Sequence, residues 1–325
     1  MHSSEGVVFQ QVHHLYTVLT CPLVELHNGG AALRTNTFEN GSRFACSLFD
    51  FKNGSQDEYR KVMEVQDSIF SGITMTAATP LLACGHIRRI EDLNNTYEMI
   101  KFAISPSTQS NLGSALSATP LRSVMTGANI TECDGPLNGG IFFFLQCAEA
   151  TFTDVTVIQC TNVVSGLVFT PDEVTHISVI KSTFWSCTTT RDTPHGSALF
   201  INHSATLSVS LATFTNNTAS NCGGAIYVSA RCQWVNITSS SFLNNQAPYG
   251  GAIGVGGKPT AAEGGWVIQQ CQFANVGRSG TDVYFDDMSA LGLTERAFAG
   301  CVSRSKSPRV FDFKSRTGYD WTNRQ

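Results

Sequence analysis

The chain has 325 residues, 21 Lys and Arg against 25 Asp and Glu, and a formal net charge of −4. Without a basic excess or a basic run, nucleic acid and an anionic membrane are excluded as the main partner, because both are held through clustered cations. Charged residues reach only 14% while Ser and Thr number 65, a composition that with many Asn and Gly suits a repetitive β protein with short turns.

No apolar run approaches the roughly 18 residues of a membrane span; the longest block is "IFFFL" at 141–145. The start, "MHSSEGVVFQQVHHLYTVLTCP", lacks a charged segment followed by a clean apolar one, so it does not read as a signal peptide. The chain is therefore expected either to stay inside the cell or to be a piece of a longer exported protein, with any membrane association made through further segments. Eleven cysteines are an odd number and too dilute for a disulfide scaffold.

Residues 1–120 carry a pattern only loosely. "LTCPLVELHNGGAALRTNTFENG" (19–41) holds a Gly-Gly-Ala and a Phe-x-Asn, and "SIFSGITM" (68–75) suits a strand and a turn. Residues 50–66 concentrate charge, and 105–120 form a polar loop bounded by prolines. This part is read as divergent β-helix rungs interrupted by insertions.

From 121 to 300 a period emerges. Gly pairs or their equivalents end at Gly140, Gly166, Gly196, Gly224, Gly251 and Gly280, separated by 26, 30, 28, 27 and 29 residues. Ahead of each stands an apolar residue with a second column three places on: Ile130/Cys133, Val157/Cys160, Phe184/Cys187, Phe214/Asn217, Phe242/Asn245 and a weaker Phe273/Val276. Segments such as "TLSVSLATF" (206–214) and "WVNITSSSF" (234–242) alternate as half-buried strands do, and a short apolar run such as "GAIYV" follows each Gly pair. No stretch has convincing helical periodicity. A unit of 26–31 residues with two clear strands and room for a third is one rung of an all-β, right-handed parallel β-helix, a pectate-lyase-like solenoid. Residues 301–325 lose the repeat, turn basic and read as a terminal segment.

The period gives each column a task. Rungs stack about 4.8 Å apart, so Phe and Ile of one column pile up in the dry interior. Cys133, Cys160, Cys187, Asn217 and Asn245 form a turn ladder, in which Asn hydrogen-bonds its counterpart one rung away. The six glycines make tight repeat corners where a Cβ would collide. The cysteines are read as a reduced stack, with a bridge between neighbours as the alternative, since Cα atoms about 4.8 Å apart lie within disulfide range. Seven sequons, at Asn40, Asn53, Asn94, Asn129, Asn202, Asn216 and Asn236, are candidate N-glycosylation sites; a chain this rich in Asn, Ser and Thr also generates sequons by chance.

Gly223-Gly224-Ala225-Ile226 and Gly250-Gly251-Ala252-Ile253, with Phe214…Asn217 and Phe242…Asn245, resemble the signature of the polymorphic outer-membrane proteins, adhesins with β-helical passenger domains. The end "GRSGTDVYFDD…GCVSRSKSPRVFDF" (277–314) resembles the closing turn of uncharacterised β-helix proteins of anaerobic protists. The resemblance covers about residues 124–314; it is specific for fold, says little of activity, and implies an extracellular or cell-surface location.

Many right-handed β-helices cleave polysaccharides, so catalysis has to be weighed. Hydrolysis needs paired carboxylates on one face, and lyases need acidic calcium ligands near a base. Asp286 and Asp287 are adjacent and would point to opposite faces of a strand, and no second acidic column accompanies them or Asp282. "CGHIRR" (84–89) sets His86 beside Arg88 and Arg89, similar to a pectinase Gly-His element, but it precedes the Asp pair, the reverse of the polygalacturonase order. His13 and His14 lack a metal-spaced partner. No catalytic residue, cofactor or metal is expected. The reading is a non-catalytic, adhesin-like binding protein with a protein or glycan ligand. The alternatives are a carbohydrate-active enzyme, favoured by carboxylates clustered on adjacent rungs, and a structural segment of a larger receptor-like chain, favoured by an open rung at either end.

Overall fold

The computed structural model describes residues 7–11, 13–15, 18–19, 24–26, 31–39, 43–44, 49–51, 62–75, 82–84, 89–102, 116–118, 122–134, 142–144, 147–162, 168–170, 174–189, 195–201, 204–229, 232–256, 265–286, 295–305, 310–312 and 317–319. Among them the chain winds repeatedly through three long sheets. The first stacks ten strands from Val7–Gln10 to Trp266–Gln269, and the second stacks eleven from His13–Leu15 to Val302–Ser303. The third stacks twelve, from Val24–Leu26 to Thr317–Tyr319. Each strand pairs in parallel with its equivalent one rung on; among the described strands only Thr317–Tyr319 runs antiparallel, against Val310–Asp312. This is a parallel β-solenoid, and its one described helical element is the 3-10 turn Glu295–Phe298.

Strands before residue 121 belong to the same sheets: Val62–Gln66 lies between Ala31–Arg34 and Arg89–Leu93. Beyond residue 300, Val302–Ser303 and Val310–Asp312 extend the second and third sheets.

The interior follows from alternation. On the second sheet the inward column reads Phe38, Phe70, Tyr97, Ile130, Val157, Phe184, Phe214, Phe242, Phe273. Its rings lie nearly parallel, 5.0 Å apart from Phe184 to Phe214 and from Phe214 to Phe242, and 5.1 Å from Phe242 to Phe273. Ring stacking thus repeats at close to the rung spacing, and each buried ring contributes roughly 1.5–3 kcal/mol.

Two expectations about the corners are corrected. "TLSVSLATF" is not one strand: Ser204–Ser210 belongs to the first sheet and Thr213–Thr215 to the second. The chain turns at Leu211, which has a left-handed φ of 55° and is 55% exposed. "WVNITSSSF" turns likewise at Ser239. This corner is filled by residues as different as Asp154, Lys181, Leu211 and Gln270, all left-handed and all exposed. Because the side chain stands outside the core and meets solvent or its counterpart one rung on, as Ser239 Oγ does in donating to Gln270 Oε1 at 3.1 Å, the position imposes no residue type, and Leu211 carries the apolar alternation through the bend.

The second correction concerns the glycines. His195, Cys222, Tyr249 and Ser279 bridge in one column, so the residues after them, Gly196, Gly223, Gly250 and Gly280, are equivalent, with φ of 55°, 67°, 60° and 61°. Gly224 and Gly251 stand one place further on, level with Ser197 and Thr281. They are small for a different reason: a Cβ on Gly224 would overlap the Gly251 carbonyl, and one on Gly251 the Thr281 carbonyl. Gly140 and Gly166 lie outside the described residues.

Candidate functional site

The turn ladder is built at the corner that closes the second-sheet strand. Left-handed Glu132, Gln159, Ser186, Asn216 and Asn244 turn the chain, and the next residue of each rung points inward. The structure so brings Cys133, Cys160, Cys187, Asn217 and Asn245 into one buried column. Asn275 continues it, not Val276, because the register shifts at a bulge and leaves Val276 57% exposed. The backbone N–H at this corner has no strand partner within its own sheet, so the next rung supplies one. Cys187 N donates to Asn217 Oδ1 (3.0 Å), Asn217 N to Asn245 Oδ1 (3.1 Å) and Asn245 N to Asn275 Oδ1 (3.0 Å). The Nδ2 groups of Asn217 and Asn245 donate to the Phe184 and Phe214 carbonyls.

The ladder ends on Asp282, which is fully buried. It accepts hydrogen bonds from Asn275 Nδ2 (3.0 Å), Ser303 Oγ (2.6 Å) and Ser305 Oγ. This acidic candidate therefore fastens the last rungs together. The eight cysteines with described side chains all carry free thiols. Burial pushes Cys147, Cys187 and Cys232 up to about 12, as expected for inert interior thiols.

The outer face of the third sheet is different. Leu199 and Ile201, Ile226 and Val228, Ile253 and Val255 point into the core, which leaves Phe200, Tyr227, Gly254 and Tyr284 outward in one column. A Cβ on Gly254 would overlap the Cys222 thiol, and one on Gly256 the Tyr227 hydroxyl. Gly256 therefore lets the Tyr227 ring lie along the sheet, and Gly254 leaves room for the Cys222 thiol. The Tyr227 ring is stacked on His195 at 4.2 Å and on Phe200 at 5.4 Å; Tyr249, 38% exposed, leans on Tyr284 at 5.1 Å. Tyr284 Oη donates to Asp286 Oδ1 at 2.7 Å. Burial lowers the His195 pKa, against the pull of Asp286, and raises those of Tyr227, Tyr284 and Cys222. The cluster presents the half-buried rings of His195, Phe200 and Tyr227 and the exposed Tyr249, over a Tyr284 that is itself buried, 6% exposed, beside one carboxylate. Sequence reasoning did not assemble it, since its members are scattered between residues 195 and 286; the apolar runs after each Gly pair were the available signal.

A second array lies on the first sheet. Glu64 and Glu91 are register partners on adjacent rungs and face outward. Arg34 grips Glu64 (2.9 and 3.0 Å), Arg89 lies 2.7 Å from Glu91, and Arg122 lies 3.0 Å from Glu149. Sequence reasoning weighed acidic side chains only around Asp282, Asp286 and Asp287, and it did not find this glutamate pair on the first sheet.

The remaining candidates fall as follows. Asn94, Asn129, Asn216 and Asn236 are exposed; Asn40, Asn53 and Asn202 lie outside the described residues, as do Asp287, His86 and Arg88. His13 and His14 open the second sheet. Among the described residues no three His, Cys, Asp or Glu side chains converge as a metal would require, and no helix is long and apolar enough to cross a membrane.

Interior stack, turn ladder and glycine corner define a parallel β-solenoid of the repeat type anticipated. A family model described as the Chlamydia polymorphic membrane protein repeat matches residues 212–229. That stretch runs from the buried corner residue Ala212 through Phe214 and Asn217 to the Gly223–Gly224 corner and the strand bearing Tyr227, so it spans most of one rung. Comparison with curated proteins and with solved structures found no match.

Proposed function

We propose that this chain is a non-catalytic, adhesin-like binding protein acting at the cell surface or outside the cell, whose protein or glycan ligand lies along the outer face of the third sheet. The observation that carries this reading is the cluster of His195, Phe200, Tyr227 and Tyr249, backed by the buried ring of Tyr284. Ring faces with adjacent phenols suit the apolar faces and hydroxyls of sugars, or an aromatic-rich peptide. Binding on a solenoid gains by adding contacts from rung to rung. The surface location is supported by the repeat match, whose family description is of a membrane protein.

The test is binding of the chain to a panel of immobilised glycans and to intact cells. Tyr249→Ala should abolish capture while the melting temperature stays unchanged; undiminished capture removes this face from the ligand site. Surface staining of the native cell, with an endoglycosidase mobility shift on the same sample, tests the location.

A second reading, a carbohydrate-active enzyme, is favoured by Glu64 and Glu91 on adjacent rungs, because retaining hydrolysis uses carboxylates about 5–5.5 Å apart. Each here is engaged by an arginine, as in a balanced surface charge row. Release of reducing ends from a polysaccharide panel, lost in Glu64→Gln and in Glu91→Gln, would establish it.

A further inference from the structure

Gln270 and Gly300 are the left-handed residues of two successive first-sheet corners, so Cys271 and Cys301 occupy the same inward position one rung apart. Gln270 N donates to Ala299 O and Val302 N to Cys271 O, both at 2.9 Å. These bonds bracket the pair and set its Cα atoms about 4.8 Å apart, within disulfide range. The Cys301 thiol donates to the Ile268 carbonyl at 3.2 Å, on the rung that carries Cys271. We propose that Cys271 and Cys301 form a redox-controlled staple that fastens the closing rung of the solenoid to its body.

Position distinguishes this pair from the other cysteine column. Cys133, Cys160 and Cys187 are all fully buried and three in number, so an oxidant cannot reach them and they cannot all pair. Cys301 is partly exposed and Cys271 is buried behind it. Contact between the two thiols lowers the pKa of Cys301 and raises that of Cys271, so the accessible sulfur is the one that ionises first. The chain between them contains the 3-10 turn Glu295–Phe298, whose Phe298 is buried against the core. An end rung has a neighbour on one side only and frays first.

The reaction is thiol–disulfide exchange. The Cys301 thiolate attacks one sulfur of a glutathione disulfide, breaking that S–S bond and releasing a glutathione thiolate. The Cys271 thiol then gives up its proton to solvent and displaces the second glutathione from Cys301. The protein dithiol is oxidised by two electrons and the glutathione disulfide is reduced to two glutathiones.

The experiment equilibrates the full chain with glutathione buffers of rising oxidised fraction, alkylates remaining thiols, and maps a non-reduced digest by mass spectrometry. A Cys271–Cys301 peptide is expected, with one pair of thiols lost from the native count and slower proteolytic removal of the C-terminal residues. Cys301→Ser should lose both effects yet match the wild-type melting temperature in reducing buffer. Recovery of both cysteines alkylated, of Cys301 only as its glutathione adduct, or of a Cys133–Cys160 link with both of these free overturns the proposal. The digest of the unmodified chain decides the matter even if Cys301→Ser folds poorly.

Discussion

Asp92 interrupts an otherwise apolar inward column, between Val65 and Met125 on the neighbouring rungs. Among the described residues two groups of its own rung hold it: Asn95 Nδ2 donates at 2.9 Å and Tyr97 Oη at 2.5 Å. Tyr97 itself belongs to the aromatic stack, 5.1 Å from Phe70, so the carboxyl gives a buried phenol its partner. Burial outweighs these bonds and raises the Asp92 pKa from 3.8 to about 6. A raised carboxyl pKa means that folding favours the protonated form. Its contribution is complete below pH about 4 and is lost as pH rises through about 6, a change on the order of 3 kcal/mol. Asp92→Asn should flatten that segment of the stability curve; denaturant midpoints measured from pH 4 to pH 7 would disprove the assignment if wild type and variant ran parallel. Phe242, fully buried between Phe214 and Phe273, makes the simpler case. Phe242→Ala should cost roughly 3–5 kcal/mol by opening a cavity in the stack, and an unmoved melting temperature would place the ring outside.

At the scale of the element, the corner after the second-sheet strand determines whether successive rungs lock. Asn245 accepts from Asn217 N and Nδ2 and donates to the Phe214 carbonyl and to Asn275 Oδ1, all at 2.9–3.1 Å. Asn245→Ala strands a buried N–H and a buried C=O together, each worth roughly 1–3 kcal/mol when unsatisfied. A loss of about 2–5 kcal/mol in urea unfolding is therefore expected. A much smaller loss would mean that the ladder contributes register rather than stability. In the Cys133–Cys187 part of the column, thiols donate instead to the carbonyls of Thr131, Ile158 and Trp185, so the same corner has two chemical solutions.

For the whole molecule, stability is expected to be distributed as in other linear stacks, with each rung supported by two neighbours except at the ends. The first sheet ends at Trp266–Gln269, against which the turn Glu295–Phe298 packs, and Asp282 ties residues 303 and 305 to the body. Among the described residues, this edge of the first sheet is therefore packed against a turn rather than left bare. Native-state hydrogen exchange should show greatest protection in the rungs of Phe184, Phe214 and Phe242, with protection falling towards the two ends. Uniform protection along the solenoid would instead indicate all-or-none unfolding.

The amino-acid sequence by itself determined the solenoid. Phe214, Phe242, Asn217 and Asn245 recur because stacking forces one residue type to meet itself at every rung, and that self-contact is legible as a period. The corners at Leu211 and Ser239 were not legible, because an exposed left-handed position accepts almost any side chain and leaves no signature. The level of the glycines, Gly223 with Gly196 rather than Gly224, was hidden by rungs of unequal length. Tertiary structure alone decided which distant residues share a face. His195 meets Tyr227, Glu64 meets Glu91 and Cys271 meets Cys301 only because rung register brings them side by side. Register is set by the sum of many inward packings, so no local stretch of the chain carries it.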